Sequence, residues 1–198
     1  MSLLNLLRLS LTLFVALLCA VPSPAAGKKD THDFDPFTAG IEENIKTPAV
    51  PEKLKERVAA AMTKLQNTLA NAGYKVEKVR DGEVVMVTIE ASKLFGANST
   101  ELREKASSVL MPLVPYVRRT DNYKVVLAVH SDDTGDVRYA DSLTADRASA
   151  IDGFITSKTG GGESGIIPYG LGFDEPVAPN SGIRNRAANR RVEFYFIP

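Results

Sequence analysis

Two side chains of opposite charge, Asp132 and Arg147, stand where the sequence could do chemistry. Arg147 lies four residues after Leu143 and four before Ile151, and Phe154 and Ile155 extend the same stripe of a helix. A guanidinium on an apolar stripe is costly unless an anion meets it. Its planar fork suits a carboxylate held at two points. Asp132 falls fifteen residues earlier, just past the apolar run Lys124 to Val129, in the loop that feeds this helix. A strand end, a loop and one to two helical turns bring the two to one rim. An acid beside a base fits a zwitterion: the carboxylate takes an ammonium, the guanidinium a carboxylate. The other reading is that Asp132 and Arg147 pair with each other and fix the loop, and spacing alone favours it.

Other chemistry finds little support. His130 closes an apolar run and reads as a structural histidine, and His32 lies in a linker. There is no His-Glu-x-x-His, no paired His/Cys cluster and no phosphate loop, so no metal site and no cofactor are expected. The aspartates at 132, 133, 136 and 141 do not follow the spacing of a calcium loop and read as a solvated rim. No paired-acid cleft is visible either, and the chain reads as a binding module rather than an enzyme.

The positioning elements follow from periodicity. Pro51 to Asn71 is predicted as a helix, with Leu54, Val58, Met62, Leu65 and Leu69 at spacings of three and four. Tyr74 to Arg80 and Glu83 to Ile89 read as two strands of a hairpin turned at Asp81-Gly82. A second helix is expected from Ser99, capped by Asn98, Ser99 or Thr100 and kinked or ended early by Pro112 and Pro115. Lys124 to Val129 is a central strand, Tyr139 to Ser157 the third helix, and Ile166 to Leu171 an edge strand interrupted by Pro168. Arg190 to Ile197 is a final strand, with Val192, Phe194 and Phe196 on one face and Arg191, Glu193 and Tyr195 on the other. That order is α+β, a sheet with helices on one face.

Four short motifs run in order through these elements. They are His130-Ser131-Asp132-Asp133-Thr134-Gly135, Leu143-Thr144-Ala145-Asp146-Arg147-Ala148, Gly170-Leu171-Gly172 with Pro176, and Arg186-Ala187-Ala188-Asn189-Arg190-Arg191-Val192. Together they resemble the OmpA-like C-terminal peptidoglycan-binding domain over roughly Val84 to Ile197. The resemblance implies a two-layer sandwich, with a mixed four-stranded β-α-β-α-β-β sheet after an N-terminal helix and hairpin strand. It implies that Asp132 and Arg147 grip the free amino acid end of meso-diaminopimelate in the peptidoglycan stem peptide. Ser131, Asp133 and Thr134 join the ligand-binding set, the amides of Asp133 to Gly135 meet the ligand carboxylate, Arg186 edges the pocket, and Arg190 either closes it or pairs with a buried acid. For Arg186 and Arg191, a solvated basic rim is the other reading. Val129 stands where the family has glycine, and Ala140 where it has an asparagine that assists the ligand.

The N-terminus reads as an export signal over residues 1–25: Arg8, the apolar run Leu9 to Ala20, then small residues at Ser23-Pro24-Ala25. A retained membrane anchor and lipidation of Cys19 are its rivals, although Leu18 is not the small residue that a lipidated cysteine wants before it. Residues 26–50 read as a linker, 51–80 as a helix and strand extension, and 81–198 as the binding domain. The 198 residues carry 24 basic and 24 acidic side chains, which offers no basic face for nucleic acid. One cysteine excludes an internal disulfide. The expected place is the periplasm, associated with the wall and tethered to the outer membrane if Cys19 is lipidated. The expected partners are peptidoglycan and other proteins of the envelope. The alternative is a scaffold of an envelope complex that keeps the fold without the ligand.

Overall fold

The computed structural model describes residues 52–79, 82–117, 124–160 and 165–198. The signal, Cys19, the linker, Pro51, Arg80 and Asp81 lie outside the described residues. The first helix, α1, spans Glu52–Asn71 and buries Met62, Leu65 and Leu69. It stops at Gly73, whose positive φ of 87° suits a residue without a side chain. β1 (Lys75–Val79) and β2 (Val84–Glu90) pair antiparallel. The turn between them includes Gly82, at φ 86°.

Between β2 and the next strand the sequence reading needs correction. No helix begins at Ser99. A single turn, α2 (Ala91–Leu94), leads into an open loop closed by a bridge between Phe95 and Leu102. Helix resumes only at α3 (Ala106–Leu110), tightens to a 3-10 turn over Met111–Leu113 and continues as α4 (Val114–Val117). Pro112 sits in the 3-10 turn, where its missing N–H is harmless. The caps proposed from Asn98 to Thr100 instead shape a turn, with Asn98 in the left-handed region at φ 54°.

β3 (Lys124–Val129) leads to α5 (Val137–Lys158), then β4 (Ile166–Gly170), α6 (Ile183–Asn189) and β5 (Arg191–Ile197). The short helix α6 lies where the sequence suggests only loop. Among the described residues the sheet holds five strands in the order β1-β2-β5-β3-β4, the four expected and the hairpin strand, which joins them at one edge. Among the described strands only β3 and β4 pair in parallel. β5 lies between β2 and β3, so Phe194 faces Val87 on one side and Leu127 on the other.

One core joins the helices to the first face of the sheet. Met62, Leu65 and Leu69 of α1 and Ile151 and Ile155 of α5 pack with Val87, Leu127 and Phe194. The second face is not the solvated side that alternation along β5 suggests. Val126, Ala128 and Tyr195 form a smaller buried cluster there, and Arg191 and Glu193 beside it are each 4% exposed. The charges tolerate burial because they satisfy one another. Arg191 Nε donates to Glu193 Oε1 at 2.7 Å, while Tyr195 Oη donates to Glu193 Oε2 at 2.8 Å and His130 Nε2 meets that oxygen at 3.0 Å.

Candidate binding cleft

β2 and β3 run in the same direction, so the segments after them and the segment before β5 meet at one end of the sheet. A cleft of about 620 Å³ opens there, lined among others by Phe95, Asn98, Arg103, Ser131, Asp132, Thr134, Tyr139, Arg147, Arg186 and Arg190.

The 130s loop is built by local hydrogen bonds. Ser131 N donates to Gly172 O at 2.6 Å, and Gly172 N donates to Thr144 Oγ1 at 3.0 Å, which ties the loop to α5 through the Gly170–Gly172 turn. Gly170 is required by close approach: a Cβ there would fall on the backbone of Thr144 and Ala145. Asp136 caps α5 by accepting from Tyr139 N at 3.2 Å. Two of the three amides expected to meet a ligand are engaged within the fold: Asp133 N donates to Asn180 Oδ1 and Gly135 N to Asp133 Oδ1. The Asp133 side chain is spent on this turn and does not line the cleft, whereas Ser131 and Thr134 do.

Asp132 and Arg147 share the cleft without pairing, which overturns the simple ion-pair reading. Asp132 Oδ2 accepts from Arg186 Nε at 2.7 Å and from Arg190 Nη1 at 2.8 Å. Arg186 Nη2 also donates to Asp133 O at 3.0 Å. α6 therefore exists to present one guanidinium, with the second following at its C-cap. Arg147, 4% exposed, donates from Nε to Ser99 O at 2.8 Å and from Nη2 to Gly96 O at 3.1 Å, with Phe95 stacked 4.9 Å from its guanidinium carbon. Its partners are loop carbonyls, a solution that leaves no mark in sequence. Burial pushes the Arg147 guanidinium below its ordinary value. Two valences remain open among the described residues: Asp132 Oδ1 accepts no hydrogen bond and Arg147 Nη1 donates none.

Behind the cleft, burial works against the Glu193 carboxylate. The hydrogen bond from His130 and the charge of Arg191 overcome it, bringing Glu193 to about 2. Burial pushes His130 down from 6.5, so the ring stays neutral and donates from Nε2. Arg191, read as a candidate rim residue, belongs to this buried set instead.

Three residues of the cleft's frame have no role in the sequence reading. Arg103 lines the cleft and donates from Nε to Phe95 O at 2.7 Å. Asn189, wholly buried, accepts from Val177 N and Ala178 N and donates to Ala178 O and Asn180 Oδ1, which in turn holds Asp133 N. The run Arg186 to Val192 contains Asn189, and its small amide inside a basic run is the one signal that could have marked it and Asn180.

Fold and cleft together define a class: a two-layer α+β domain with an arginine-rich cleft where β2 and β3 end. Residues 94–190 match the OmpA family. It is similar to the outer-membrane lipoprotein YfiB of Pseudomonas aeruginosa, 32% identical over 50% of this chain and 58% of that protein. It is also similar to the peptidoglycan-associated lipoprotein of Agrobacterium fabrum, 31% identical over 50% of this chain and 55% of that one. The solved structure of the cell wall anchor of the T6SS from Pseudomonas aeruginosa superposes with a TM-score of 0.55 at 26% identity, covering 67% of this chain and 93% of that one. The chain spans between 31% and 60% of the length of the curated relatives it first matches. Among the described residues no helix is long and apolar enough to cross a membrane.

Proposed function

We propose that this protein is a non-catalytic module of the cell envelope that binds peptidoglycan non-covalently through the zwitterionic end of meso-diaminopimelate in the stem peptide. The observation that carries the reading is the pair of open valences across one cleft. Asp132 Oδ1 is placed to accept from an ammonium and Arg147 Nη1 to donate to a carboxylate. Arg186 and Arg190 hold the aspartate in place, and Ser131 and Thr134 border the ligand. Relatives named for the outer membrane, for association with peptidoglycan and for anchoring to the cell wall support the same reading. In it, residues 1–25 direct export to the periplasm and 26–50 form a tether. Cys19 joins that tether to the outer membrane where it is lipidated.

A scaffold reading has its own support. Ala140 is wholly buried and offers no ligand group, and the amides of Asp133 and Gly135 are engaged within the fold. Sedimentation of the full chain with insoluble peptidoglycan separates the two. Binding by wild type that is lost in Asp132→Ala and weakened in Arg147→Lys, with both variants folded by circular dichroism, is the expected result. No binding by wild type would favour the scaffold, and binding that survives both changes would place the wall contact elsewhere.

A further inference from the structure

We propose that the cleft contains a second anion subsite centred on Arg103, which selects stem peptides with a free carboxylate next to the diaminopimelate; the inference rests on the binding reading above. The cleft is lined by four guanidinium groups, from Arg103, Arg147, Arg186 and Arg190, against the single carboxylate of Asp132. A zwitterion adds no net charge, so it fills the site between Asp132 and Arg147 and leaves the positive excess untouched.

Arg103 is the group best placed to use that excess. Its backbone N donates to Leu94 O at 2.8 Å, and its Nε donates to Phe95 O at 2.7 Å. Arg147 Nη2 is anchored on the next carbonyl, Gly96 O. Two guanidinium groups are thus braced on consecutive carbonyls of one loop that lines the same cleft as Asp132. Arg103 makes no ion pair among the described residues, and neither of its terminal nitrogens donates a hydrogen bond there. A fork fixed at Nε with its outer edge open is preorganised for a carboxylate. In the stem, the γ-linked glutamate before diaminopimelate supplies one unless it is amidated. Arg103 is then a specificity residue, reading charge one residue away from the zwitterion.

Calorimetric titration of the full chain tests this with three probes: free meso-diaminopimelate, the tripeptide L-Ala–γ-D-Glu–meso-diaminopimelate, and the same tripeptide with isoglutamine. Wild type should bind the acidic tripeptide roughly tenfold tighter than the amidated one, the worth of one charge-assisted hydrogen bond. Arg103→Gln should bring the two within about twofold, Arg103→Lys should keep part of the preference, and neither should move the affinity for free diaminopimelate. Equal affinities in wild type, or a preference that survives Arg103→Gln, would overturn the subsite while leaving diaminopimelate binding in place. A loss of free diaminopimelate binding in both variants would show Arg103 to be only a brace of the loop. Failure of wild type to bind any of the three would remove the function itself, and the subsite with it.

Discussion

Glu193→Gln is the sharpest test of how the sheet behind the cleft is held. The substitution conserves volume, so no cavity opens, and only charge and one acceptor are lost. In the native fold Glu193 is the counter-charge of Arg191, and each is 4% exposed. With His130 neutral, the buried set of four side chains is neutral overall. Glutamine leaves the Arg191 guanidinium buried without an anion, and its amide turns a donor towards groups that also donate. Breaking a buried pair in this way costs about 3–5 kcal/mol, a large part of the roughly 5–15 kcal/mol that holds a typical domain. Urea unfolding of the full chain followed by circular dichroism should show the midpoint falling by more than about 1 M. The paired replacement Arg191→Met with Glu193→Leu should recover most of the loss, because it removes the charge and its partner together. An unfolding free energy for Glu193→Gln within about 0.5 kcal/mol of wild type would refute the reasoning. So would a double variant whose loss is the sum of the single ones.

Acid should weaken the fold in two stages. Burial keeps the folded His130 from taking the proton that the unfolded ring accepts, so stability falls as pH drops below about 6.5. Glu193, held at about 2 against an ordinary 4.5, adds a further loss as pH falls through that interval. A urea midpoint unchanged between about pH 7.5 and 5 would contradict the first stage, and one unchanged from about pH 5 down to 2 the second. Gly170→Ala should destabilise by about 1–3 kcal/mol or more, read as a fall in the thermal midpoint, since the backbone of α5 blocks the new Cβ. Asn189→Ala should cost about 1–3 kcal/mol and speed hydrogen exchange at Val177, Ala178 and Asp133, the amides it anchors directly or through Asn180. Leu69→Ala, at a residue 1% exposed, should cost about 2–5 kcal/mol by urea unfolding if α1 is integral to the domain.

The elements legible in the sequence are those whose apolar residues recur with one period. α1, the hairpin, β3, α5 and β5 announce themselves that way, because each buries a stripe or a face in the main core. Segments stabilised by polar contacts do not. α6 has no apolar stripe: its one wholly buried side chain is Asn189, and Arg186 faces Asp132. The loop from Phe95 to Arg103 is organised by guanidinium groups on its carbonyls, and a carbonyl is the same in every residue. The partner of Arg147 was illegible for that reason, although the need for a partner was plain from its position. The burial of Glu193 and Arg191 was hidden by their own compensation, since alternation takes a charged residue as a sign of water.

β5 is the last of the described strands in sequence and the middle one in space. Until residues 191–197 take their place, the hairpin of β1 and β2 and the unit of β3, α5 and β4 are two half-sheets with open edges, and nothing joins them along the ladder. A chain delivered N-terminus first therefore cannot complete its sheet by degrees; it stays open until β5 arrives, and it then closes by long-range pairing. The same keystone makes premature termination costly in a particular way. A product that stops before Arg191 is not a smaller version of the domain but a pair of exposed strand templates, with the chemistry of aggregation rather than of binding.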